Sequence, residues 1–260
     1  MITDNPRKYG NLPYSVVLVH GGPGAPGEMA PVARQLSKNF GILEPLQTKN
    51  TISSQAEELK ETIKENAETP VILVGWSWGA WLSFILTAEN PALVKKLILV
   101  SSGPFEAKYA KSIMPTRLSR LSDKEQKRVG ELLEILQRGG GDNDQVLQEF
   151  GGYVSKADSY DPIPNSGEVI GLQADIYTSV WKEAEELRKS GKLLDYGRLI
   201  TCPVVVIHGD YDPHPYEGVR EPLSRELKDC KFILLKKCGY YPWLEKEAKD
   251  DFYIALEKEL

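Results

Sequence analysis

Apolar and polar positions along the chain follow two rhythms. Short runs rich in β-branched residues occupy 15–20, 40–43, 71–74, 97–101, 204–208 and 232–235, and four of the six are nearly continuous in apolar residues. A strand with one wet face alternates apolar and polar residues, whereas a continuous run indicates a strand covered on both faces, as in a parallel sheet. Between these runs lie longer segments of helical period, which supply the crossovers that parallel strands require. The alternation predicts an α/β protein: a mostly parallel sheet of about six strands with helices on both faces.

The helices carry their own punctuation. Ser54-Gln55-Ala56-Glu57 reads as a capping box opening a helix to about Asn66, and a helix after Gly79 is expected to end before Pro91. From Gly103 to about Arg198 no strand run appears. There, Ser122 and Glu125 cap a helix that Gly139, Gly140 and Gly141 terminate, and 178–190 makes another ending at Gly191. The sheet pattern resumes at Val204, and an acidic amphipathic helix from about Glu245 closes the chain. The expected division is a core, 1–102 and 199–260, interrupted by a helical cap insertion, 103–198. His20, Gly75, Ser101 and His208 all end predicted strands, at the edge where open parallel sheets bind ligands, and the insertion is expected to cover that edge.

Composition narrows the function classes. A chain of 260 residues with 41% hydrophobic and 27% charged residues buries a full core and is neither disordered nor fibrous. Its formal net charge of −5, with basic residues scattered, argues against nucleic acid as a partner. Cys202, Cys230 and Cys238 form neither a CxxC pair nor a metal-ligand spacing, and an odd count suits a reducing compartment. The N-terminal stretch lacks an apolar signal segment, and the most apolar stretch, 71–86, is interrupted by Gly75, Ser77, Gly79 and Ser83. The expectation is a cytoplasmic protein without a membrane span, metal or cofactor. The sequence does not specify an oligomeric state.

The chemistry concentrates at Gly75-Trp76-Ser77-Trp78-Gly79, a strand, sharp turn and helix context that exposes a nucleophilic serine. His20-Gly21-Gly22-Pro23-Gly24 follows the first strand and offers backbone N–H groups near that turn; with Pro23 lacking an N–H and no Gly-Lys-Ser/Thr following, an oxyanion hole fits better than a phosphate cradle. Gly22 and Trp78 are the expected donors. Asp212, with Asp210 as its rival, follows the 204–208 run and suits the acid that orients a catalytic base. In the order serine, acid, base, the third member falls at position 240, which is Tyr240 in Cys238-Gly239-Tyr240-Tyr241-Pro242.

These segments resemble the α/β-hydrolases over nearly the whole chain, and the loop from His20 to Gly24 is similar to that of the proline iminopeptidase branch. The resemblance implies a cofactor-independent hydrolase and aligns the stretch from Cys238 to Trp243 with a Gly-His-x-Pro segment. Tyr240 stands where that pattern has histidine, and Trp76 stands where iminopeptidases commonly have glycine. A phenol of pKa about 10 is only ~0.1% ionised at pH 7 and has no second ring nitrogen for the acid to orient. Little or no Ser77-dependent turnover is therefore expected, whether the replacement is engineered or natural. Of the remaining histidines, His20 belongs to the loop, His208 ends a strand, and His214, between Pro213 and Pro215, is the one candidate for a rescuing base.

The leading expectation is hydrolysis of a small or medium carboxylic ester, with the peptide bond of an iminopeptidase-like substrate as the alternative. A peptidase would need carboxylates for an amino terminus, and Glu106, Asp142, Asp158, Asp161, Glu168 and Asp175 are the available residues. A non-catalytic small-ligand binder is the competing class, with a pocket drawn from Trp76, Trp78, Tyr153, Tyr160, Tyr177 and Trp181. Gly21, Trp76 and Trp181 are the expected substrate contacts.

Overall fold

The computed structural model describes residues 5–138, 143–164, 171 and 173–260. Seven strands form one sheet: β1 (Arg7–Tyr9), β2 (Tyr14–Val19), β3 (Gly41–Glu44), β4 (Val71–Trp76), β5 (Val94–Val100), β6 (Val204–Gly209) and β7 (Cys230–Leu235), in the order β1-β3-β2-β4-β5-β6-β7. All neighbours pair in parallel except β1, which runs antiparallel to β3 at the edge. This seventh strand was not anticipated, because three residues carry too little apolar pattern to stand out.

Side chains on each strand alternate between two apolar layers. Val17, Val19, Leu73, Leu97, Leu99 and Val206 meet the helices Ile52–Asn66, Trp78–Glu89 and Glu217–Glu226 on one face. Val16, Leu18, Val74, Ile98, Val205 and Ile207 meet the helices Ala30–Leu36 and Lys249–Glu257 on the other. The central strands β2, β4, β5 and β6 are covered on both sides, as their continuous apolar runs require.

Several boundaries move. The helix expected to open at Ser54 begins at Ile52, because Thr51 is its N-cap and its side chain accepts the Ser54 N–H at 3.2 Å. One half of the box at Ser122 forms, with Glu125 Oε2 accepting from the Ser122 N–H at 2.9 Å and from its hydroxyl at 2.7 Å at the start of the helix Asp123–Arg138. Its proposed glycine terminator, 139–141, lies outside the described residues. The helix expected at 178–190 spans Ala174–Lys189, and the one expected from Glu245 spans Lys249–Glu257. An unanticipated helix, Asn143–Asp158, runs through Gly151 and Gly152.

Among the described residues between β5 and β6, the chain is helical and contains no named strand. Leu121, Val129, Leu132, Leu147, Phe150, Ala157 and Ala174 give this segment a small apolar cluster of its own. Buried Glu245, after β7, ties it to the sheet by accepting the N–H groups of Gly239 at 3.0 Å and of Tyr160 and Asp161 at 2.8 Å each. The three donors occupy both carboxylate oxygens, two on Oε1 and one on Oε2.

Candidate active site

The turn between β4 and the helix Trp78–Glu89 places Ser77 at φ 57°, ψ −120°, a conformation that non-glycine residues rarely adopt. Its neighbours enforce it. A Cβ on Gly79 would lie 2.3 Å from the Val19 carbonyl oxygen, and one on Gly21 would lie 2.4 Å from the Trp76 ring. The Ser77 N–H donates to the Val100 carbonyl at 3.0 Å, which fixes the turn to β5. Strain of this kind persists only where the surrounding packing over-determines the backbone.

The loop after β2 is held by His20. Its Nε2 accepts the Gln47 N–H at 3.0 Å, which leaves Nδ1 to donate to the Gly21 carbonyl at 2.8 Å. Burial drives the His20 pKa down to about 4, so the ring acts as a neutral brace. Gly22 follows at φ 26°, its carbonyl accepting the Ala25 N–H at 2.7 Å, and the Gly24 carbonyl accepts the Gln173 N–H at 2.8 Å. The loop is thereby bound to the helical segment as well as to the sheet.

The third element is Tyr240, whose hydroxyl is hydrogen-bonded to Ser77 Oγ. Trp76 Nε1 donates to the Tyr240 carbonyl at 3.0 Å, and the Tyr240 N–H donates to the Asp158 carbonyl at 2.9 Å. Burial, with Tyr241 alongside, raises the Tyr240 phenol well above its ordinary value. Serine and tyrosine are therefore joined, but the tyrosine is held neutral.

Asp212 is bonded elsewhere. Its Oδ1 accepts from the His214 backbone N–H at 2.9 Å and from His214 Nδ1 at 2.8 Å, while His208 Nε2 lies 3.4 Å from Oδ2. Burial opposes its ionisation, but the two histidines more than offset that and hold the carboxyl below its usual range. The His214 ring packs on Tyr240 with centroids 5.0 Å apart and a 34° tilt. Asp212 influences Tyr240 electrostatically without a hydrogen bond to it. Asp210 faces away, with Oδ1 accepting the Cys238 N–H at 3.3 Å and Oδ2 lying 3.6 Å from Lys236.

Ser77, Tyr240 and His214 open onto a cavity of about 1390 Å³, also lined by Gly22, Trp76, Trp78, Tyr160, Tyr177 and Trp181. Gly21 packs beneath it against Trp76 and Ser77. Trp181 reaches Trp81 and Trp78 with centroids 5.8 and 6.3 Å apart. Tyr153 instead packs into the helical segment's own cluster. Of the carboxylates considered for an amino terminus, Asp158 forms a buried bidentate pair with Arg117 at 2.7 Å on both arms, Asp161 pairs with Lys246, and Glu106 pairs with Arg225 and Lys108. Asp175 lies in the first turn of its helix, and Asp142 and Glu168 lie outside the described residues.

Arg117 and Glu28 are among the lining residues that escaped the sequence reading. Arg117 faces the cavity with its charge secured by Asp158. Glu28 also lines it; burial pushes its carboxyl up to about 8, and Oε2 has no hydrogen-bond partner among the described residues. An acidic residue within the otherwise uncharged stretch 21–33 was the available signal. No group of three or more His, Cys, Asp or Glu among the described residues is placed to hold a metal ion, and no described helix is long and apolar enough to cross a membrane.

Comparison with known proteins agrees with this architecture. The pimeloyl-[acyl-carrier protein] methyl ester esterase of Nitrosospira multiformis is 28% identical over 211 residues, covering 77% of this chain and 72% of that protein. The crystal structure of VinJ superposes with a TM-score of 0.69 at 18% identity, covering 98% of this chain and 93% of the other. The thioesterase domain from the curacin biosynthetic pathway does so with a TM-score of 0.58 at 20% identity, covering 96% and 93%. At these identities the structural likeness speaks to the fold alone. The family model described as alpha/beta hydrolase fold matches residues 14–238, and the chain belongs to that family.

Proposed function

We propose that this α/β-hydrolase carries the framework of a serine esterase whose turnover is largely silenced at position 240. In that scheme Ser77 Oγ attacks the ester carbonyl, the N–H groups of Gly22 and Trp78 receive the negative oxygen, and an acyl-enzyme forms and is hydrolysed. Attack requires an acceptor for the serine proton. The observation that carries the reading is the Ser77–Tyr240 hydroxyl pair: a phenol stands at the acceptor position. Neutral phenol does not take the proton, and a pKa well above 10 leaves less phenolate than the ~0.1% of an unperturbed tyrosine at pH 7. Loss of a triad base lowers turnover by roughly 10⁴ to 10⁶, with residual catalysis from oxyanion stabilisation.

The relative named as a methyl ester esterase supports an ester over an amide, and the aromatic-walled cavity suits a medium-sized substrate held under a helical cap. The test is Tyr240→His, assayed with nitrophenyl esters and by fluorophosphonate labelling. Strong Ser77 labelling and ester turnover in the variant, against background in the native chain, is the expected result. A folded variant that stays at background refutes the assignment of position 240.

A second reading is favoured by the 2.8 Å contact between His214 and Asp212. This imidazole has the acid partner of a catalytic base and lines the same cavity. Any residual Ser77 labelling in the native chain is then routed through His214, and His214→Gln lowers it to the level of Ser77→Ala.

A further inference from the structure

One ionisable group in the cavity has no part in the hydrolytic scheme. Glu28 lies between β2 and the helix Ala30–Leu36, with Oε2 3.8 Å from the point where a Cβ on Gly22 would sit. Oε2 is buried and unpartnered among the described residues. Other charged groups of the cavity wall are engaged: Arg117 by Asp158 at 2.7 Å, Lys156 by Glu125 at 2.6 Å, and Asp144 Oδ1 by the Ala174 N–H at 2.8 Å. Tyr241 feels the Glu28 charge, and its ring centroid lies 5.0 Å from that of Trp76, which is 5.1 Å from Trp243; all four residues line the cavity.

A desolvated carboxyl next to aromatic rings is complementary to one ligand chemistry. An ammonium group gains Coulomb energy from the carboxylate and quadrupole attraction from the rings, and both are strengthened by exclusion of water. We propose that Glu28, with Trp76, Tyr241 and Trp243, forms a subsite for an ammonium group carried by the substrate. This deepens the esterase reading and rests on this cavity being the substrate chamber. It narrows the substrate class to cationic esters.

Protonation is linked to occupancy. Empty, the carboxyl titrates at about 8 because burial disfavours its charge; an arriving cation favours the ionised form, so binding strengthens as pH rises through that value. Tyr241 faces it, its phenol itself held well above its ordinary value, while Arg7, which reaches the neighbouring Gly27 carbonyl at 3.4 Å, is paired with Glu44. Across the cavity stands the internally neutralised Arg117–Asp158 pair.

The test uses the native chain and a probe pair of equal shape, choline and its uncharged carbon isostere 3,3-dimethylbutanol, titrated by tryptophan fluorescence at about pH 9, above the carboxyl's value. Choline is expected to bind about tenfold more tightly than the isostere, a preference equal to about 1.4 kcal/mol. Glu28→Gln is expected to erase it while the isostere binds as before. Equal binding of the two probes, no choline binding, or a preference that survives in Glu28→Gln overturns the proposal. If that variant does not fold, Glu28→Asp replaces it, and an undiminished preference there overturns the proposal equally. Hydrolysis of a neutral nitrophenyl ester by Tyr240→His is read separately. Turnover without a choline preference removes the subsite and keeps the esterase; a preference without turnover removes the esterase and keeps the subsite.

Discussion

The sheet and the helical segment between β5 and β6 answer to different constraints. Around Ser77 the backbone is in contact with itself, and a single added methyl at Gly79 would lie 2.3 Å from a carbonyl oxygen. In the helical segment Gly130, Gly151 and Gly152 face open space, with nothing within 4 Å of an added Cβ. Val17, Leu18, Leu73, Leu97 and Val206 of the sheet are fully buried, whereas Leu121, Leu147 and Phe150 of the segment retain 6–7% exposure. The contrast separates two jobs. The sheet side, with the turn at Gly79, holds the Ser77 backbone, and the helical segment contributes wall to the cavity, where its glycines leave room for substitution.

The largest expected effect lies on the sheet side. Tyr240→His should raise ester turnover by at least about 10³-fold, measured as kcat/KM on nitrophenyl acetate, with little change in Tm. No gain would mean that the sheet side does not carry the chemistry. Next is an ion pair inside the helical segment, one partner of which also takes the Tyr240 N–H on its carbonyl. Arg117→Met strands Asp158 as a buried charge and should cost about 3–5 kcal/mol by urea denaturation. A cost below about 1 kcal/mol would show that the segment does not depend on this pair.

Glu28→Gln sharpens the comparison through its pH dependence. The folded carboxyl titrates at about 8 against 4.5 for the free group, so between those values the folded state binds more protons than the unfolded one and stability falls as pH rises. The variant should be level with the native chain at about pH 4 and more stable by about 1–3 kcal/mol above pH 8. A gain independent of pH would reject the unpaired carboxyl as its source. Smallest is Gly130→Ala, inside the helix Asp123–Arg138, which should add about 0.5–1 kcal/mol. Gly79→Ala, its counterpart at the elbow, should cost about 1–3 kcal/mol. Equal responses at the two glycines would dissolve the distinction between the regions.

How much of this was legible depended on whether a feature is local. Continuous apolar runs announced β2, β4, β5 and β6, because burial on both faces leaves no polar positions. The elbow was legible because one turn of chain contains its strand, serine and helix. β1 was missed because its place depends on pairing with β3, and the helix Asn143–Asp158 was hidden by the low helix propensity of Gly151 and Gly152. Asp212 was legible as a candidate acid, but its hydrogen-bonding to His214 rather than to position 240 depends on a turn two residues long. Glu28 and Arg117 carried no motif, since their significance comes from what lies opposite them across the cavity.

Glu245 has a consequence for recombining such chains. It is encoded after the last strand, yet two of its three donated N–H groups come from Tyr160 and Asp161, more than eighty residues earlier. A transplanted helical segment would leave its own anchor behind in the donor, and a recipient sheet lacking a carboxylate at that spot would receive it untethered. The third donor is Gly239, the immediate neighbour of Tyr240. Slack introduced by such a graft would therefore arrive first at the residue hydrogen-bonded to Ser77.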